Sequence, residues 1–154
     1  MPEFRPYTPA DRESCLALFD SNCPPFFGAS ERADFEEFLS DPADHGEYLV
    51  LEQGGEVLAC GGVWLDGNGT GGLSWGMVRR DRHGQGLGTR LTVHRLDLLR
   101  QRPGVRCVRL DTSQHSEGFY ARHGFVATRR TADGFAAGFT EVKMVLELLA
   151  DGAG

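Results

Sequence analysis

The segment from Met77 to Leu91, MVRRDRHGQGLGTRL, constrains the fold of this 154-residue chain more than any other part of it. It leads from an apolar stretch through a glycine-rich loop into the clearest helical pattern of the sequence. A helix that begins directly after such a loop presents unpaired backbone N–H groups and a partial positive charge, which suit a phosphate. Gly84, Gly86 and Gly88 would let the backbone approach an anion closely. The segment therefore predicts a strand, an anion-binding loop and a helix, in that order.

The charges around this loop also favour an anionic ligand. Residues 79–90 contain four arginines, Arg79, Arg80, Arg82 and Arg90, and one acidic residue, Asp81. This segment is therefore positive, although the chain as a whole has a formal net charge of −6. An acidic chain lacks the basic face that general nucleic-acid binding needs, so we expect no nucleic-acid partner. The alternative interpretation of the loop itself is a glycine-lined turn with a solvated basic rim.

The rest of the sequence predicts alternating strands and helices. Strand patterns cover residues 3–7, 47–52, 57–65, 73–78, 105–110, 125–130 and 140–149, and helical patterns cover 11–22, 30–40, 87–100 and 116–123. Three successive strands joined by glycine turns favour antiparallel pairing, and the strand–helix–strand unit at 73–110 predicts one parallel crossover. We therefore expect an α/β (α+β) fold in one domain over residues 1–154, with a mixed, largely antiparallel sheet of six or seven strands and helices on both faces.

Two details of the helices are predicted from local pattern. Ser30 is a suitable cap for the second helix. In the third helix, Leu87, Leu91, His94 and Leu98 follow the spacing of a buried face.

The four cysteines predict neither a metal site nor a disulfide framework. Cys15, Cys23, Cys60 and Cys107 form no C-x-x-C pair, and their spacing matches no zinc pattern. We expect buried free thiols in a reducing compartment. The first residues contain no apolar signal sequence, and no stretch approaches the ~20 apolar residues of a membrane helix. The expectation is a cytoplasmic protein with no membrane partner.

Two nucleotide-binding motifs fit the glycine loop poorly. The Walker pattern G-x-x-x-x-G-K-[ST] is absent, since the only lysine of the chain is Lys143. The dinucleotide pattern G-x-G-x-x-G matches at Gly84 and Gly86, but Thr89 stands at the third glycine. Asp111 imitates the acid that binds the ribose. An NAD(P)-dependent oxidoreductase remains an alternative.

Together with the sequence that follows it, the loop resembles the GNAT superfamily of N-acetyltransferases. The main motif of that family, Arg/Gln-x-x-Gly-x-Gly/Ala, corresponds to residues 83–88, with His83 in place of Arg or Gln. The second motif, Tyr-x-x-x-Gly-Phe, is intact from Tyr120 to Phe125. The resemblance covers roughly residues 3–149. It implies a splayed sheet and acetyl-CoA as co-substrate.

The resemblance also implies where acetyl-CoA binds. Backbone groups of residues 75–78 would contact the pantetheine arm, and an N–H such as that of Val78 would polarise the thioester carbonyl. Ser113 stands where the family often has an asparagine against pantetheine. The expected cofactor-binding residues are Met77, Val78, His83, Gly84, Gln85, Gly86, Leu87, Gly88, Thr89, Ser113 and Ser116.

The implied reaction is direct attack of an amine on the thioester in a ternary complex. Tyr120 is the candidate general acid, because a phenol with a pKa near ~10 can protonate the leaving thiolate. His115, Glu141 and Asp66 are candidates for the general base, and a chain of waters is an equal alternative. A module that binds acyl-CoA without catalysis is the rival hypothesis.

The acceptor site is implied by two loops of the family. In this chain they are Asn22–Gly28, with Phe26 and Phe27, and residues 131–138, with Phe135, while Trp75 is a further candidate. Aromatic walls suit an apolar or cationic acceptor, although ordinary packing explains them equally well. The expected partner is an amine of a small molecule, an amino acid or a peptide. The sequence leaves the length of the acyl chain and a homodimer open.

Overall fold

The chain forms one seven-stranded mixed sheet with helices on both faces. The computed structural model describes residues 1–148, and Leu149, the predicted end of the last strand, lies outside the described residues. The strands are β1 (Glu3–Pro6), β2 (Glu47–Gln53), β3 (Glu56–Leu65), β4 (Thr70–Val78), β5 (Cys107–Ser113), β6 (Val126–Ala136) and β7 (Phe139–Glu147). The helices are α1 (Arg12–Ser21), α2 (Arg32–Ser40), α3 (Leu87–Arg100) and α4 (Glu117–Ala121).

The strand order is β1-β2-β3-β4-β5-β7-β6, and β4 with β5 is the parallel pair. Each of the other neighbouring pairs is antiparallel. The predicted mixed, largely antiparallel sheet and its single crossover are therefore confirmed. A doubly wound dinucleotide-binding fold needs several parallel strands in succession, so the oxidoreductase alternative does not fit this sheet.

The two faces of the sheet are covered by different helices. Val50 and Leu51 are neighbours on β2 and point to opposite faces. Val50 packs with side chains of α1 and α2, among them Phe19 and Phe35. Leu51 packs with residues of α3 such as Leu91. We call these the α1–α2 face and the α3 face.

The buried face of α3 differs from the predicted one. Its buried residues are Leu87, Leu91, Thr92, Arg95, Leu96 and Leu99. His94 and Leu98 are only partly buried. His94 points toward the sheet edge and stacks on Phe4 of β1, with the ring centroids 4.0 Å apart. The predicted buried face of α3 is therefore wrong at His94 and Leu98. The actual face includes Arg95, a core position that an apolar pattern does not indicate.

Three predicted boundaries are also wrong. Ser30 caps no helix, since it lies inside the turn Ala29–Glu31 that precedes α2. β5 runs three residues beyond its predicted end at 110, to Ser113. Residues 131–138, predicted as a loop, mostly belong to the β6–β7 hairpin. Pairing with β7 determines both strands, and these polar segments carry no alternating apolar pattern that would indicate it.

The cysteines are free, as expected, but only Cys15 and Cys60 are buried. Cys23 and Cys107 are half-buried, so the prediction of burial was wrong for them. Across residues 1–148, none of the helices has the length and apolar character that spanning a membrane requires.

Candidate active site

A cleft opens in the sheet where β4 and β5 diverge. The two strands pair only from Thr70–Gly72 to Cys107–Arg109. Beyond that point, Leu73–Val78 of β4 and Leu110–Ser113 of β5 face each other without a shared ladder. A cavity of about 1350 Å³ fills this opening. It is larger than a typical drug-sized pocket, and its walls include free strand edges that can hydrogen-bond an extended ligand.

The glycine loop closes one end of the cleft. Gly84 and Gly86 adopt φ angles of 79° and 82°, a left-handed region that glycine enters without strain. Gly86 directly precedes α3, so the first N–H groups of the helix face the cavity that Gly88 and Thr89 line. The loop therefore leads into α3 with a backbone geometry that would suit an anion.

His83, the departure from the family motif, is held at the end of β4. Its Nε2 lies 2.9 Å from the carbonyl oxygen of Val78 and donates to it. The same carbonyl accepts a hydrogen bond of 2.8 Å from Nδ2 of the buried Asn22. Asn22 also donates to the carbonyl of Leu18, also at 2.8 Å, and thus ties the end of α1 to the start of the loop.

A β-bulge interrupts β4 beside the cleft. Cys60 is opposite Met77 and Gly62 is opposite Ser74, so Gly61 alone spans two residues of β4. One of them, Trp75, has a φ of 40°, which is a strained backbone for an aromatic residue. The buried Tyr48 hydroxyl donates to the Trp75 carbonyl at 2.8 Å and holds the bulge in place.

Tyr120 lines the opposite wall of the cavity. It is half-buried on α4, edge-on to Phe119 and Phe125 at centroid distances of 5.1 and 5.9 Å. Ser116 directly precedes α4, and its carbonyl accepts the N–H of Tyr120 at 3.2 Å. These contacts position the ring from a short helix.

Phe26 and Phe27 have different surroundings, although both line the cavity. The ring of Phe26 lies 5.2 Å from the ring of His83 and beneath the guanidinium of Arg80 at 5.1 Å. Phe27 stacks on Phe19 of the core at 4.9 Å. Phe26 therefore packs beside the glycine loop, whereas Phe27 belongs to the aromatic packing of the α1–α2 face.

The structure brings nearly all the predicted site residues to one cavity. Those that line it are Phe26, Phe27, Trp75, Met77, Val78, His83, Gly84, Gly86, Gly88, Thr89, Ser113, Ser116 and Tyr120. Gln85 is exposed on the loop, and Leu87 packs into the core of the α3 face. Phe135 also lines the cavity, from β6 rather than from a loop.

The three candidate bases lie in different places. Asp66 belongs to the β3–β4 turn, where the N–H groups of Asn68 and Thr70 donate to it and hold its pKa below the usual value. Glu141 lies 3.4 Å from Nζ of Lys143 and does not line the cavity. His115 lines the cavity and is exposed.

Glu31 was missed by the sequence reasoning. It is buried, lines the cavity and accepts the N–H of Gly28 at 2.8 Å. Burial raises the pKa of its carboxyl above the usual value. An acid is an ordinary choice just before a helix, so its position in the sequence gives no signal of a role in a cavity.

A comparison with models of protein families identifies one family. The model of the Acetyltransferase (GNAT) family matches residues 13–125. No match is found among curated proteins. The match to the family model covers most of the chain, including the glycine loop and Tyr120.

Solved structures share the fold over almost the whole chain. A protein assigned to the GNAT acetyltransferases from Desulfovibrio desulfuricans is 24% identical, over 96% of this chain and 99% of its own, with a TM-score of 0.78. The ribosomal-protein-S18-alanine N-acetyltransferase of Escherichia coli is 18% identical, over 99% and 98%, with a TM-score of 0.78. An aminoglycoside 6'-N-acetyltransferase complexed with coenzyme A is 14% identical, over 96% and 98%, with a TM-score of 0.73. At these identities the likeness shows the fold.

Proposed function

The chain belongs to the GNAT family of acetyltransferases, and on that premise we propose that it transfers the acetyl group of acetyl-CoA to a primary amine. The acceptor would be a small molecule, an amino acid or a peptide, and the reaction would take place in a ternary complex. One observation carries the proposal. A single cavity runs from the glycine loop past the open edge of β4 to Tyr120.

Each part of acetyl-CoA has a suitable partner along this cavity. The N–H groups at the start of α3 suit the pyrophosphate. The unpaired edge of β4 suits the amides of pantetheine, which would hydrogen-bond to it as a strand does. The bulge at Trp75 turns the backbone of β4 beside the cleft, and an N–H there or at Val78 would polarise the thioester carbonyl.

The chemical step needs one proton donor and one proton acceptor. The amine nitrogen attacks the carbonyl carbon, the C–S bond breaks, and Tyr120 gives its proton to the departing thiolate. For the proton of the amine we propose Glu31, directly or through water, because it is a buried carboxylate in the same cavity. Its raised pKa makes it a stronger base than an exposed carboxylate.

Calorimetric titration of the purified protein with acetyl-CoA, free CoA and NAD tests the proposal, followed by thiol release with a panel of amines. We expect micromolar binding of acetyl-CoA, no binding of NAD, and thiol release that depends on the amine. Binding without release for any amine would instead support the non-catalytic module. Absence of binding to both CoA species would contradict the proposal.

A further inference from the structure

The guanidinium of Arg95 is buried in the cavity wall, and no counter-ion for it lies among residues 1–148. Arg95 lies on α3, lines the cavity, and only 1% of its surface is exposed. None of the ion pairs formed within residues 1–148 includes it. A buried, unpaired charge is strongly unfavourable, so its presence beside a ligand cavity calls for an explanation.

The donors of Arg95 that have no hydrogen-bond partner among residues 1–148 lie on one edge of its guanidinium. Its Nε and Nη2 are buried and have no partner among the described residues. Nη1 reaches the carbonyls of Gly62 and Ser74, but only at 3.4 and 3.5 Å. The N–H bonds of Nε and Nη2 point side by side, and this fork matches the two oxygens of a carboxylate.

Two glycines make room for this guanidinium against the sheet. A Cβ atom added at Gly61 would lie 3.1 Å from Cζ of Arg95, and one added at Gly76 would lie 2.6 Å from Nη2. Both positions belong to the β4 bulge, Gly61 on β3 and Gly76 on β4. The bulge therefore has a second feature, a space kept free for a charged group on the α3 face.

The location of Arg95 along the cleft indicates which part of a ligand it meets. α3 begins at Leu87, near the loop at the end of β4, and in its last turn the side chain of Leu99 lies against Gly71 in the paired part of the sheet. Arg95 lies between these points, beside the bulge and away from the anion-binding loop. The group near it would belong to the reacting end of the substrates and not to the pyrophosphate.

We propose that Arg95 binds a carboxylate of one of the two substrates, either at the far end of the acyl group or on the amine acceptor. This inference rests on the proposed acyl transfer and narrows its substrate class. A neutral carbonyl of pantetheine would occupy one N–H group but would leave the charge unmatched. A carboxylate satisfies the fork and the charge together.

Two pairs of substrates distinguish the sources of the carboxylate. The first pair compares succinyl-CoA with butyryl-CoA on one neutral amine. The second compares amino acids with their primary amides on acetyl-CoA. We expect kcat/KM for the carboxylate member to exceed that of the neutral member by roughly 100-fold in one of the pairs, as sites with buried polar groups discriminate strongly.

Variants assign the preference to Arg95. In Arg95→Met the ratio should fall to within about threefold of one, because the fork and the charge are lost. Arg95→Lys keeps the charge but not the fork and should retain only part of the ratio. Arg100→Met, at the exposed end of the same helix, is the matched control and should keep the wild-type ratio.

The outcomes separate this inference from the proposed function. Thiol release without a carboxylate preference in either pair would overturn the assignment of Arg95 alone, as would an unchanged ratio in Arg95→Met. If thermal unfolding shows that this variant does not fold, an unchanged ratio in Arg95→Lys overturns the assignment equally. Absence of thiol release with every donor and amine would contradict the proposed function itself.

Discussion

Tyr120 lies on a short helix with aromatic side chains on two sides and the cavity on a third. If it protonates the leaving thiolate, Tyr120→Phe removes the acid and leaves the packing intact. We expect turnover to fall about 10²-fold, within the range of general acid catalysis, with little change in acetyl-CoA affinity. Thiol release and calorimetry measure the two quantities. Tyr7→Phe makes the same change at a half-buried tyrosine outside the cavity and should preserve turnover; equal turnover in both variants would exclude Tyr120 from the mechanism.

Tyr48 lies in the core and supports the bulge beside the same cavity. Its hydroxyl donates to the carbonyl of Trp75, the residue with positive φ in the bulge. Tyr48→Phe leaves that carbonyl without a donor, so we expect the free energy of unfolding to fall by about 1–3 kcal/mol and turnover to fall with it. Urea denaturation measures the first effect. The hydroxyl of Tyr7 makes only a 3.5 Å contact with Leu39, so Tyr7→Phe should cost less than about 0.5 kcal/mol. Equal costs would show that the bulge does not depend on Tyr48.

At the scale of elements, substitutions at two glycines, one in the loop and one at the start of α3, should distinguish effects on stability from effects on ligand binding. Gly86 has a positive φ, and Gly86→Ala should lower the free energy of unfolding by about 1–2 kcal/mol. Gly88 is helical, and a Cβ there would lie 3.5 Å from the ring of Phe119, an ordinary contact. Gly88→Ala should therefore leave stability unchanged or raise it by up to about 1 kcal/mol, while its methyl group enters the cavity and weakens acetyl-CoA binding roughly tenfold. Thermal unfolding and calorimetry on both variants check this; undiminished affinity in Gly88→Ala would contradict a pyrophosphate site at this turn.

The sequence predicted those elements whose signals are local. The order of strands and helices, the bounds of α3 and the glycine loop follow from periodicity and turn residues. The length of β5 and β6 does not, because partner strands stabilise segments that are polar in sequence. The bulge at Trp75 and the burial of Arg95 and Glu31 could not be predicted from the sequence either. Each depends on residues far apart in the chain, and charged residues in a helix ordinarily predict an exposed face.

At the scale of the whole molecule, a charged cluster links the first strand to the remainder. Arg5 of β1 donates to both carboxylate oxygens of Asp11 at 2.8 and 2.7 Å and also pairs with Glu52 of β2 at 2.8 Å. The hydrogen bonds from Arg5 hold the pKa of Asp11 below its ordinary value of 3.8. A depressed pKa in the folded state adds stability above the unfolded pKa, and this stability is lost as the pH falls through the folded pKa.

Asp11→Asn should therefore lower the free energy of unfolding by about 1–3 kcal/mol at pH 7. The gap from wild type should begin to narrow near pH 3.8, the ordinary pKa of the carboxyl, and should close as the pH falls through the lower pKa of the folded state. Urea denaturation from pH 7 to pH 2.5 measures both. Asp97→Asn, in an exposed pair with Arg100, should change stability by less than about 0.5 kcal/mol at every pH. A gap that persists at the acid end would show that packing, and not the charge of Asp11, is responsible.

The divergence of β4 and β5 has a consequence for the lifetime of the protein. Within residues 1–148, the ladder between β4 and β5 is limited to Thr70–Gly72 and Cys107–Arg109, and the two strands diverge beyond it. Acetyl-CoA bound between the two strands would hydrogen-bond to them as an additional strand does and would connect the two halves of the sheet. A ligand at 100 times its dissociation constant adds about 2.7 kcal/mol to the stability of a folded protein. The enzyme would then be most resistant to heat and proteolysis where its own donor is plentiful, and its abundance would follow the supply of the molecule it consumes.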